Sequence, residues 1–109
     1  MVVSNRPWGQ FTDADYSTAA AKCAASLINL NTGPSSGWTK GACKLPYKEP
    51  GGDINRAGVH AAAGVLAGAR GGVDAPPEAK RAAARRLVAI YRRDLREDPP
   101  ESLIRLARG

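Results

Sequence analysis

Histidine, methionine and phenylalanine occur once each in this chain, and cysteine twice. These shortages remove most catalytic chemistry. With His60 alone, no spacing assembles a nucleophile, a base and a group to orient the base. Cys23 and Cys43 form no Cys-x-x-Cys pair, and a zinc site would need further ligands from Asp or Glu. No GxxxxGK[ST] or GxGxxG loop is present, so Gly51-Gly52 and Gly71-Gly72 read as turn glycines. The expectation is a non-enzymatic protein with no catalytic residues, no metal and no cofactor. No apolar run approaches the roughly 18 residues of a transmembrane helix, so no membrane partner is expected. The stretch Met1 to Trp8 has no charged region leading into an apolar one, which predicts no secretory leader.

Large apolar side chains are also few. Hydrophobic residues make up 43% of the 109, but much of that share is alanine, which favours helix and buries little area. A small core follows, in a chain of one-domain length. Both cysteines are read as small buried hydrophobes. A cytoplasmic location favours that reading over a disulfide, although the sequence does not fix their redox state.

Positive charge is plentiful and uneven. The net charge is +6. Residues 1–55 hold five basic and four acidic residues, and residues 56–109 hold eleven and six, so the second half carries +5. Ten of those eleven are arginines. GC-rich coding also yields arginine-rich, alanine-rich chains, and a solvated helix face is the plain alternative to a binding face.

Hydrophobic period gives the organisation. Residues 1–10 read as an irregular N-terminal arm, and residues 11–109 as a single helical domain. Thr12 and Asp15 have the spacing of a capping box, and Phe11 and Tyr16 that of a hydrophobic staple. Tyr16, Ala19, Ala20, Cys23 and Leu27 continue a helical period, so a first helix is predicted from Thr12 until it fails near Asn29 to Gly33. Residues 31–41 form a loop anchored by Trp38. Cys43, Leu45 and Tyr47 alternate with Lys44, Pro46 and Lys48, the pattern of a short edge strand that could close a hairpin onto Ile54. Asn55 is a good N-cap for a second helix to about Ala69. That helix has a face of Ala57, Ala61, Gly64 and Gly68, which predicts close approach by another helix. His60 lies on its exposed side, one turn beyond Arg56, and the pair could border an anion.

The third helix runs from Pro77 to about Arg96, before Pro99-Pro100. At about 100° per residue, Arg81, Arg85, Arg86, Arg92, Arg93 and Arg96 fall within an arc of about 140°. Ala83, Ala84, Leu87, Val88, Ile90, Tyr91 and Leu95 occupy about 180° to 340°. The six arginines are the candidate partner- or nucleic-acid-binding residues. Alanines, not Asn or Gln, lie between them, so any DNA binding would be backbone-led and salt-dependent. Glu101 to Arg108 reads as a short amphipathic tail helix. The fold class is therefore mainly α: a compact three-helix domain with a small irregular or β-hairpin insert and a short C-terminal helix.

The stretch Thr39 to Ala63, with Leu66 to Val73, Ala82 to Arg92 and Pro99 to Leu103, resembles a small domain encoded by tailed phages and prophages. The resemblance covers roughly residues 8–103. In that family the domain is often appended to prohead proteases and other head-module proteins, and it also stands alone. The family often has a Cys-x-x-Cys in the first helix, where this chain has Cys23-Ala-Ala-Ser26. The resemblance implies a virion-assembly role with a capsid or other head-assembly protein as partner, in the virion or the host cytoplasm. A basic module that contacts a nucleic-acid backbone is the alternative. A domain that docks a separate prohead protease is a third reading.

Overall fold

The computed structural model describes residues 3–109, the side chain of Arg70 excepted. Its elements are β1 (Val3–Ser4), α1 (Ala19–Ala24), β2 (Ser26–Asn29), β3 (Cys43–Pro46), β4 (Ile54–Asn55), α2 (Arg56–Leu66), α3 (Pro77–Ile90) and α4 (Glu101–Arg108), with short 3-10 turns between them. Helix predominates, beside two two-stranded sheets. No helix among the described residues is long and apolar enough to cross a membrane.

The predicted first helix is the main correction. The Thr12–Asp15 box exists: the Thr12 N–H donates to the Asp15 carboxylate at 2.7 Å. It caps only a 3-10 turn at Asp13–Asp15, after which Tyr16 is extended. Tyr16 is buried and its hydroxyl donates to the Lys48 carbonyl at 2.5 Å, so a long-range bond turns the chain out of helix there. Thr18 then caps the six-residue α1, accepting from Ala21 N–H at 3.0 Å. Leu27 and Ile28 continue as strand. Strand pairing defeats the helical period, because β2 finds β3 as an antiparallel partner in the register Ser26↔Pro46, Ile28↔Lys44 and Asn29↔Cys43. The first of the expected helices is thus cut to six residues and followed by a strand, while the second, the third and the short C-terminal helix are present.

The alternation at 43–47 holds: Cys43, Leu45 and Tyr47 are buried, and Lys44, Pro46 and Lys48 are half-buried. Its main partner is β2; the hairpin onto Ile54 is reduced to one antiparallel bridge, Lys48↔Ile54. Leu45 adopts φ 59, a left-handed conformation that costs a leucine about 1–2 kcal/mol. Burial of its side chain offsets that cost.

Cys23 and Cys43 are both buried, as expected, but joined as a disulfide with Cα atoms 5.1 Å apart. The bond ties the end of α1 to the start of β3, which corrects the reading of two unpaired small hydrophobes. Two lysines reinforce the same region. The buried Lys22 Nζ donates to the Lys40 carbonyl at 2.9 Å and pairs with Asp13 at 3.0 Å. Lys40 Nζ donates to the carbonyls of Tyr16 at 2.6 Å and Asp13 at 2.9 Å.

The arm is not irregular throughout. Residues 1–2 lie outside the described residues, but β1 pairs in parallel with β4. Trp8 lies against Gly58 of α2. This contact also corrects the expectation for the small face of α2. Gly68 lies past the helix end at φ 110, and a Cβ on Gly64 would meet only the Ala69 methyl, at 3.9 Å. The close approach is made by an indole at Gly58, not by a helix at Gly64 and Gly68.

Asn55 caps α2, accepting from Gly58 N–H at 2.7 Å. α3 opens on Pro77, where a missing N–H costs nothing. It passes into a wider π-turn at Tyr91–Leu95 and stops at Arg96, φ 57. α4 turns back along α3 and buries Leu103. Leu27, Ile28, Val59, Leu87, Ile90, Tyr91 and Leu95 complete the core between α2, α3 and the sheet.

Candidate interaction surface

Five of the six arginines are exposed, and Arg81 is half-buried. α4 covers the first part of α3, and the Arg81 Nε is sequestered from water and without a partner among the described residues. Arg85 Nε donates to the Ala107 carbonyl of α4 at 3.0 Å. This places a cation at a helix C-terminus, where the peptide dipoles favour it. Arg86 crosses to the sheet side: one Nη donates to the Leu27 carbonyl at 3.2 Å and the other to the Tyr47 hydroxyl at 3.4 Å.

Arg92, Arg93 and Arg96 are exposed at the far end. The π-turn closes its hydrogen bonds over i→i+5, so each residue advances less than in an α-helix. The even spacing of about 100° per residue therefore does not carry through to these three arginines. Arg93 pairs with its neighbour Asp94 at 3.1 Å. A uniform turn of about 100° per residue gives neither the change of spacing nor the α4 cover, and no signal in the sequence marks the π-turn.

Arg86 and Arg93 meet in a cleft between α3 and the β3–β4 connection. It measures about 470 Å³ and is also lined by Tyr47, Lys48, Ile54 and Ile90. Lys48 Nζ lies 5.7 Å from the centre of the Tyr47 ring. Three cations thus stand around a partly apolar cleft, with one carboxylate, Asp94, already engaged by Arg93.

The anion expected near Arg56 and His60 comes from the chain itself. Glu97 pairs with an Arg56 Nη and with His60 Nε2, the latter at 2.8 Å. The His60 hydrogen bond holds the Glu97 carboxyl below its ordinary range, against some burial, with Arg56 adding to it. Arg56 Nε also donates to Asn5 Oδ1 at 2.9 Å, so the cluster joins the arm, α2 and the end of the π-turn.

A second carboxylate, Glu49, is buried with its side chain 3% exposed. Burial alone would raise its pKa. Hydrogen bonds from Ser4 and Asn55 and the charge of Arg6 outweigh that and lower it. The Asn55 Nδ2 group donates to Glu49 Oε2 at 2.9 Å while its Oδ1 caps α2. Both clusters are occupied by internal partners and act as ties. The α3 cleft, by contrast, is open and is lined by three cations.

Against protein-family models, curated proteins and solved structures, the chain has no match.

Proposed function

We propose that this protein is a non-enzymatic phage structural or assembly module that docks a capsid or other head protein. The family resemblance supplies the context. The observation that carries the reading is the division of the arginines. Arg81 and Arg85 turn to α4, whereas Arg86 and Arg93 join Lys48 around one cleft that also has apolar lining. A nucleic-acid backbone binder needs cations spaced along a phosphate track. A protein partner offers carboxylates set among apolar groups, which suits a short cationic cleft better.

The test is quantitative mass spectrometry of purified phage particles. The reading expects this protein at a copy number commensurate with the capsid lattice. Particles free of it, with all of it left in the lysate, would overturn the reading. Duplex DNA binding that weakens with a log–log salt slope of about −0.9 per phosphate neutralised would favour the nucleic-acid alternative.

A further inference from the structure

We infer that the α3 cleft binds an acidic, leucine-bearing peptide segment of the partner, with a Glu or Asp carboxylate seated on Arg86 and Tyr47. The inference rests on the docking reading above and names the chemistry of the docked surface. It begins from hydrogen-bond supply. The Tyr47 hydroxyl accepts from Arg86, but among the described residues no acceptor takes its own proton. The Tyr47 side chain is otherwise buried, with the residue 4% exposed, so that proton faces few alternatives. Each Arg86 Nη carries two protons and spends one, on Leu27 and on Tyr47. Lys48 adds a cation with no internal acceptor among the described residues. The only carboxylate in the cleft, Asp94, is taken by both Nε and Nη2 of Arg93, at 3.3 and 3.1 Å. The site is therefore rich in donors and poor in acceptors. A bidentate oxygen acceptor complements it.

Ile54, Ala89 and Ile90 decide what carries that acceptor. Ala89 is exposed beside the cations, and the nearly covered Ile54 and Ile90 close the cleft behind it. A phosphodiester brings no apolar group to such a lining, whereas a peptide brings the side chain next to its carboxylate. A volume of about 470 Å³ holds one or two side chains, at the small end of ligand sites.

The test is an amide-resolved NMR titration of the whole chain. The probes are the blocked peptide acetyl-Leu-Glu-Leu-Glu-Leu-amide, its Lys-for-Glu counterpart, inorganic phosphate and a duplex oligonucleotide. The glutamate peptide should shift amides around Tyr47, Ile54 and residues 86–94, and the lysine peptide should not. Tyr47→Phe should weaken the glutamate peptide about tenfold, the worth of one charge-assisted hydrogen bond, while leaving the melting temperature nearly unchanged. Lys48→Gln, whose side chain makes no internal hydrogen bond, should weaken it as well. Equal shifts by both peptides, saturation of the same amides by phosphate alone, or tighter binding of the duplex there would each overturn the inference. Particles that contain the protein, together with a cleft silent to the glutamate peptide, would remove the inference and leave the docking reading. Peptide binding in the cleft with protein-free particles would do the reverse.

Discussion

Trp8 lies across Gly58 so closely that a Cβ at position 58 would stand 2.9 Å from the indole Cδ2. The contact fastens the arm to the first turn of α2. Gly58→Ala should therefore destabilise the protein, although alanine gains about 1 kcal/mol of helix propensity over glycine. In a Trp8→Ala background the same change should turn neutral or stabilising, because the clash is gone. A double-mutant cycle by urea denaturation measures the difference. Equal effects in both backgrounds would mean that the arm does not rest there.

Asn55 holds α2 and Glu49 with opposite ends of one amide. Asn55→Asp keeps the cap acceptor and replaces the donor to Glu49 with a second carboxylate. A simple cap would tolerate that change. Here a cost of about 2 kcal/mol at pH 7 is expected, since a buried charge loses its donor and gains a like charge. The pH dependence should also reverse. Glu49 and Glu97 have folded pKa values below the ordinary 4.5, so the wild type has their stabilisation in full above that value. It loses it as pH falls through the lower folded values. In Asn55→Asp the two facing carboxylates have raised folded values, so stability should rise as pH falls toward the ordinary range. Melting temperatures from pH 7 to 4 should diverge in slope between the two proteins.

The arginines should separate into two groups. Arg92→Gln, Arg93→Gln and Arg96→Gln should leave stability within about 0.5 kcal/mol, as exposed surface changes do. Arg85→Gln and Arg86→Gln should each cost about 1 kcal/mol through lost hydrogen bonds to Ala107 and Leu27. Chemical denaturation of the five variants checks the division. Uniform small effects would restore a single solvated face.

The Cys23–Cys43 bond closes a loop with a sequence separation of 20. Chain-entropy reasoning gives such a loop about 3 kcal/mol of stabilisation. Thiol titration of the unfolded, unreduced protein should find no free thiols, and reductant should lower the melting temperature. Two titratable thiols in protein kept from air would show that the pair is reduced where it is made.

Legibility followed the range of the interactions. α2, with its Asn55 cap, and the outline of α3 and α4 were readable because cap, proline and hydrophobic period all act within a few residues. The alternation at 43–47 was readable for the same reason. The first helix was not. Its period was genuine through Leu27, but Tyr16 and Ser26 answer to Lys48 and to strand β3, partners some twenty or thirty residues away. The exposed arginines were legible as charge, but not the contacts of Arg85 with α4 and of Arg86 with β2, nor the π-turn after Ile90. Glu49 and Glu97 carried no local mark, since each gains its role from cations and amides contributed by other segments.

The lysine and disulfide ties between residues 13–16, 22–23 and 40–43 have a redox consequence. α2, α3 and α4 close their backbone bonds within each helix around the buried Val59, Leu87, Ile90 and Leu103, so they should show the strongest amide protection. The segment from Asp13 to Cys43 adds carbonyl–ammonium bonds and one covalent link to the buried Tyr16, Leu27 and Ile28. Its opening should respond sharply to reductant. In hydrogen exchange under reducing conditions, the amides of residues 30–42 should exchange in an early sub-global step, with the helical half still closed.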